Sequence, residues 1–190
     1  AYYIVDDVYT AINENKKIRF QYCQWDIYKK MVPRHHGDWF VVSPWALTWD
    51  DENYYMVAYD DHDEKIKHYR VDKMMHISVE DEMREGKELF ANFDMAAYSK
   101  TTFGMYSGLK TKVHIQFPNQ MCGVFLDRFG KEISFRTVEE DHSFVAVNVA
   151  ISPQFFGWIF SLGKNVKVTE PEEVVEEMRE FGKRFMENYR

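Results

Sequence analysis

Cysteine is scarce in this sequence: Cys23 and Cys122 are the only two. That is too few for a disulfide framework, and their spacing is not that of zinc ligands, so a reducing cytoplasm is the expected compartment. No apolar run reaches the roughly 18–20 residues of a membrane span, because charged residues interrupt every candidate stretch. Positive charge is not in excess either. Twenty-four Lys and Arg against 31 Asp and Glu give a formal charge of −7 and a pI near 5.5. This balance argues against a broad basic groove for duplex DNA and leaves room only for a local cationic cluster. The chain opens Ala1-Tyr2-Tyr3 with no initiator Met and no charged-then-apolar signal pattern, so a trimmed start with sequence missing before it is expected. Gly104 and Gly108 flank Met-Tyr-Ser without a following Gly-Lys-Ser/Thr, so no phosphate-cradling loop is expected. There is no Gly-x-Ser-x-Gly elbow. The histidines are scattered, and the His35-His36 pair reads as a solvated turn. No metal, no cofactor and no enzymatic activity are expected.

What is present is apolar and aromatic. Hydrophobic residues make up 45% of the 190 and aromatics 17%, ample for a packed core and incompatible with disorder. Ile4, Val8, Ala11 and Ile12 fall at helical spacing behind Asp6 and Asp7, predicting a short amphipathic helix over 2–13. After Asn15 the period changes to two: Ile18, Phe20 and Tyr22 alternate with Arg19, Gln21 and Cys23. Four further strand-like runs follow, Ile27 to Val32, Trp39 to Trp49, Tyr54 to Tyr59 and Lys65 to Val71, separated by turns such as Asp50 to Asn53 and Asp60 to Asp63. One helix and then short strands joined by tight turns read as a small closed barrel over residues 1–80.

Residues 81–109 read as a polar linker with a docking helix between Phe93 and Met105. From Lys110 the pattern restarts. A strand through Val113, Ile115 and Phe117 ends at Pro118, and a helix from Gln120 to Phe129 stops at Gly130. Strands over 132–138 and 144–151 flank an acidic hairpin turn. Ser152-Pro153 opens a helix that ends at Gly163, a strand covers 165–169, and a last helix runs to Glu187. Strand-helix-strand-strand-helix-strand is the ferredoxin-like order, so residues 110–190 are expected to form a ferredoxin-like α/β sandwich with one added helix. The class expected for the whole chain is α+β. No internal repeat or low-complexity segment appears.

Three strand segments bring cations beside aromatics: Ser43-Pro44-Trp45, Tyr54 to Tyr59, and Lys67 to Met74. Strand alternation puts Ile66, His68 and Arg70 on one face, with Lys67, Tyr69 and Val71 on the other. One face must fill the barrel, so the other can present His68 and Arg70 next to an aromatic. Arginine with stacking aromatics suits a ligand that carries phosphate and base together. The bland reading is that Arg70 and Lys73 pair with Asp72 or the acidic turns at the surface.

These same segments resemble the WYL domain family, named for a Trp-Tyr-Leu strand motif. Here the motif reads Tyr54-Tyr55-Met56; upstream, Ser43-Pro44-Trp45-Ala46-Leu47 matches the family's Ser-Pro-aromatic-x-Leu. Downstream, Lys67-His68-Tyr69-Arg70-Val71-Asp72-Lys73-Met74 matches its Arg-x-Phe-Arg-Leu-Asp-Arg-Ile run, with lysine at two of the three cationic positions. The second half is similar to the WCX extension that often follows this domain, through Phe125 to Gly130, Phe144 to Val147, Ser152 to Trp158 and Val168 to Pro171. The resemblance implies the effector region of a bacterial transcription regulator, with an Sm-like WYL barrel, a WCX domain and an N-terminal helix-turn-helix that this sequence lacks. It implies a nucleotide or single-stranded nucleic acid effector, duplex DNA contacted only through the missing domain, a homodimer, and no membrane. By position it carries over Ser43, Tyr55, His68, Arg70 and Lys73 as ligand-binding residues, with Trp45 and Lys67 beside them. The competing expectation is a structural module that only assembles the protein or docks a partner.

Overall fold

The computed structural model describes residues 2–102 and 109–190, and the chain divides into two compact units, residues 1–95 and 96–190.

The first unit opens with helix α1 (Tyr2–Asn13), whose Val8 and Ala11, three residues apart on one helix face, are fully buried. Six strands follow: β1 (Lys16–Trp25), β2 (Met31–Pro33), β3 (Trp39–Asp50), β4 (Asn53–Asp60), β5 (Lys65–Arg70) and β6 (Met74–Met83). All their ladders are antiparallel, in the order β2-β1-β3-β4-β5, with β6 also paired to β1. Phe20 sits at the centre of the core, its ring 5.5 Å from Phe40 and 5.2 Å from Tyr69, among Ile18, Met56, Val71 and Met74.

The sheet is not closed into the expected barrel. Among the described residues β5 and β6, the two edges that closure would have to join, share no ladder. A single 3-10 turn, Val71–Lys73, carries the chain from one to the other and buries Val71 beneath it. At this seam the Arg70 backbone N–H donates to the Tyr22 hydroxyl at 2.9 Å instead of to a strand. Strand β6 was not among the sequence expectations, although Met75, Ile77 and Val79 alternate along it with the exposed His76 and Ser78. Its register on β1 slips between Lys16 and Ile18 and again between Arg19 and Gln21, so the ladder is locally interrupted by bulges.

The second unit begins within helix α3 (Met95–Thr101), which follows the single turn α2 (Lys87–Phe90). The end expected for the 93–105 helix lies outside the described residues. Strands β7 (Leu109–Pro118), β8 (Phe135–Glu139), β9 (His142–Ile151) and β10 (Lys167–Glu170) form an antiparallel sheet in the order β10-β7-β9-β8. Helices α4 (Cys122–Phe129), α5 (Pro153–Ser161) and α6 (Glu172–Glu187) complete it. Helix α4 ends at Gly130, whose φ of 91° a side chain would strain. Ser152 caps α5, its hydroxyl accepting from the Phe155 N–H at 3.2 Å. The odd-numbered Val113, Ile115 and Phe117 of β7 and Val145, Val147 and Val149 of β9 face a core completed by Phe125, Phe155, Ile159 and Val174 from the helices. The even-numbered residues of both strands are left on the opposite face. Each unit is thus a mixed α/β layer built on one antiparallel sheet.

Candidate functional site

The β4–β5 ladder sets Tyr55 directly against Arg70 and Val57 against His68. The Tyr55 and His68 rings meet edge to face at 5.9 Å. Burial holds His68 neutral, its pKa brought down to about 4. Arg70 extends past this pair and grips Asp72 with two parallel bonds, Nε to Oδ1 at 2.9 Å and Nη2 to Oδ2 at 2.7 Å. That bidentate contact raises the Arg70 pKa and lowers that of Asp72, and Lys73 adds its own pull on the same carboxylate. Tyr55, His68, Arg70 and Lys73 therefore converge around the seam between β5 and β6, with Asp72 as the shared counter-ion.

The other sequence candidates are committed elsewhere. Ser43 is buried and its Oγ accepts the Glu85 N–H at 2.8 Å. Trp45 donates from Nε1 to the Glu85 carbonyl at 2.8 Å. The Trp45 ring stacks on Phe90 at 5.3 Å and carries the Arg84 guanidinium 3.8 Å from its centroid. Arg84 in turn donates to the Pro44 carbonyl and to Asn15 Oδ1, both at 3.0 Å. The Ser-Pro-Trp segment is thus a clasp for residues 84–90, which sequence reasoning treated as linker. Gly86 makes the close approach possible: its φ is 87°, and a Cβ there would lie 2.4 Å from the Tyr59 ring. Gly86→Ala should destabilise the first unit by more than the ~1 kcal/mol of an ordinary glycine replacement, because strain and clash coincide. A urea midpoint equal to that of the parent would contradict this.

Lys67 lies on the Tyr69 side of β5 and is bound by Asp60 at 2.6 Å and Asp63 at 2.5 Å. Those contacts hold the Asp63 carboxyl down to about 2. Lys67 and His68 also line a cavity of about 710 Å³ with Tyr22, Arg34, Phe40 and Tyr69. Neither Tyr22 nor Arg34 stands out in the sequence: Tyr22 falls in the Ile18, Phe20, Tyr22 alternation of β1, and Arg34 follows Pro33 in a loop where no periodicity marks it. Nearby, Lys17 is buried within ion-pair distance of Asp61, Glu82 and Glu85. Desolvation works against its charge, but the three carboxylates outweigh it and raise its pKa. Most cations of this unit that sequence reasoning could have offered to a ligand are already neutralised from within.

In the second unit, ligand atoms of Glu139, Asp141 and His142 lie within 4.8 Å of one another at the β8–β9 hairpin. His142 Nδ1 there is 2.9 Å from Asp141 Oδ1, an ordinary exposed pair. Among the described residues no helix is long and apolar enough to cross a membrane.

Two antiparallel-sheet units follow one another along this chain, and the first carries a cation-aromatic seam. Residues 3–79 match the WYL domain and residues 110–186 the WCX domain, and the chain belongs to the proteins that join these two. Among curated proteins none matches it. Of solved structures, proteasome accessory factor B/C (PafBC) of Arthrobacter aurescens is similar over 95% of this chain and 26% of its own, at 18% identity and a TM-score of 0.39. A CRISPR Cas-related protein is similar over 98% of this chain and 51% of its own, at 14% identity and a TM-score of 0.54. The second likeness is one of fold, and this chain spans only about half of that protein.

Proposed function

We propose that this chain is the sensing region of a bacterial, cytoplasmic transcription regulator. It takes a nucleotide or single-stranded nucleic acid at the seam formed by Tyr55, His68, Arg70 and Lys73. It carries out no catalysis, works as a homodimer, and passes occupancy to a DNA-binding domain that alone contacts duplex DNA. The reading treats the first unit as an open, Sm-like relative of a barrel and the second, with its β10-β7-β9-β8 order, as ferredoxin-like.

The observation that carries the proposal is the bidentate Arg70–Asp72 pair next to the Tyr55 and His68 rings. A planar guanidinium fork held by one carboxylate is suited to exchange it for a phosphate, which offers the same paired oxygens. Asp72 stands in the 3-10 turn between β5 and β6. Its release would therefore be felt where the sheet is open, which gives the site a route to the rest of the molecule.

Arg70→Ala should weaken effector binding by about 10- to 100-fold, the equivalent of one charge-assisted contact of ~1.5–3 kcal/mol, while leaving the circular dichroism spectrum unchanged. Calorimetric titration with mono- and dinucleotides, alongside labelled oligonucleotides, reads the effect. Equal affinity in parent and variant would remove Arg70 from the site.

A structural reading draws on a different observation. Lys17, Lys67 and Arg70 are all paired internally, and Ser43 and Trp45 hold residues 84–90. On that reading the unit is a scaffold for assembly or partner docking. A dimer in sedimentation that is indifferent to Arg70→Ala, with no nucleotide or oligonucleotide bound, would favour it.

A further inference from the structure

The sheet of the second unit has one face covered by its own helices and one face that they leave open. On the open face the alternation of β7 and β9 sets out Lys110, Lys112, His114 and Gln116 beside Phe144, Ala146 and Asn148. Register places Arg136 of β8 directly across from Phe144 and Lys167 of β10 across from Gln116. The His114 and Phe144 rings stack on each other, 5.0 Å apart and 17° from parallel. Ala146, paired with His114, has too small a side chain to cover the rings. Lys112, His114, Arg136, Phe144 and Ala146 line a shallow cavity of about 540 Å³.

The charge of this face runs against that of the chain. The whole protein carries −7, yet here Lys110, Lys112, Arg136 and Lys167 outnumber Glu132 and Glu170. Glu170 is itself within 3.5 Å of His114 Nδ1. In the first unit Lys17, Lys67 and Arg70 are held by carboxylates. Among the described residues, none of the four cations on this face has an ion-pair partner. Free cations around a partly exposed aromatic stack serve phosphates on one hand and base faces on the other.

We infer that the open sheet face of the second unit, centred on Phe144 and His114 and flanked by Lys112 and Arg136, binds single-stranded nucleic acid. Bases stack on an aromatic platform whatever their sequence, and the backbone follows the cations on the flanking strands. A single strand fits this arrangement because its bases are free to lie flat on a sheet, whereas those of a duplex are stacked on each other. The inference does not depend on the Arg70 site, which lies in the other unit.

The test is fluorescence anisotropy of fluorescein-labelled dT15 and rU15 titrated with the 190-residue chain at several salt concentrations. Phe144→Ala should raise Kd roughly five- to hundredfold, the equivalent of one lost base stack. The double variant Lys112→Gln/Arg136→Gln changes only exposed side chains, so it keeps the test valid if Phe144→Ala folds poorly. It should flatten the slope of log K against log salt by about 1.4, two phosphate contacts at ~0.7 each. Repeated on an Arg70→Ala background, which removes any contribution of the seam to the measured affinity, the sheet variants should still differ from their own parent in Kd and in salt slope. The inference is overturned if the parent binds neither oligonucleotide, or if both sheet variants match the parent in Kd and salt slope. Loss of binding in Arg70→Ala alone would overturn it while supporting the seam as the nucleic acid site.

Discussion

Phe20→Ala is expected to destabilise the first unit by about 3–5 kcal/mol, a large share of the stability of a domain of this size. Phe20 is fully buried on β1 and is the ring around which Tyr22, Phe40 and Tyr69 are arranged edge-on, at 5.2 to 6.3 Å. Removing it deletes the ring's transfer energy and leaves a cavity that three strands cannot readily close, because each is fixed in register by its neighbours. Tryptophan fluorescence in urea reads the result with some selectivity, since Trp25, Trp39, Trp45 and Trp49 all lie in the first unit and only Trp158 in the second. A loss below ~1 kcal/mol would mean that Phe20 is not the centre of this core. The position bears on the proposed seam because Tyr69, one of the rings packed on Phe20, alternates with His68 and Arg70 on β5.

The second large effect is a pH dependence centred on His68. Its folded pKa is about 4 because burial disfavours the imidazolium, against ~6.5 in an unfolded chain. Below pH ~6.5 the unfolded chain takes up a proton that the folded protein refuses. The stabilising contribution is therefore complete above the unfolded value and is lost as pH falls from ~6.5 towards 4. The size expected is on the order of 2–3 kcal/mol between pH 7 and pH 4.5. The carboxylates with lowered pKa, Asp61, Asp63, Asp72 and Asp141, lose their contributions at lower pH, from about 4 downwards, so the two effects separate. Urea midpoints measured from pH 7.5 to 4.5 should fall for the parent and fall much less for His68→Asn. Parallel curves for the two would show that His68 titrates normally in the fold.

The seam and the open sheet face differ in how their charges are held, and this gives the two proposals different signatures. Arg70 begins with a carboxylate in its grip, so a ligand there must displace Asp72, and binding would show a modest net gain. Among the described residues the cations around Phe144 have no carboxylate to give up, so binding there should depend steeply on salt. Short nucleotides and longer single strands could then be distinguished by the same protein through different units.

Much of this was legible from residue order alone. Period-two alternation marked β1, β7 and β9, because each buries one face against a core and the sequence must repeat that choice every second residue, whereas β3 and β4 were legible as apolar and aromatic runs between turns, β4 burying Tyr55, Met56, Val57 and Ala58 in succession. Chain punctuation marked the helix limits: Gly130 after α4, and Ser152-Pro153 before α5. The motif segments also announced a cation-aromatic cluster, and Tyr55, His68, Arg70 and Lys73 do gather at one seam. Other features depended on register and on distant chain. The closed barrel failed because β5 and β6 meet only through a 3-10 turn, which no strand pattern encodes. Ser43 and Trp45 are held by the Glu85 backbone and Phe90, some 40 residues further on, and Lys67 by a turn that its own strand folds back upon. Phe144 and His114 looked like ordinary strand residues until the β7–β9 pairing stacked them. Sequence determined which residues can face the core, since burial is a property each strand carries along its own length. Only the tertiary structure decided which cations stay free, because neutralisation depends on which distant carboxylate the fold brings within reach.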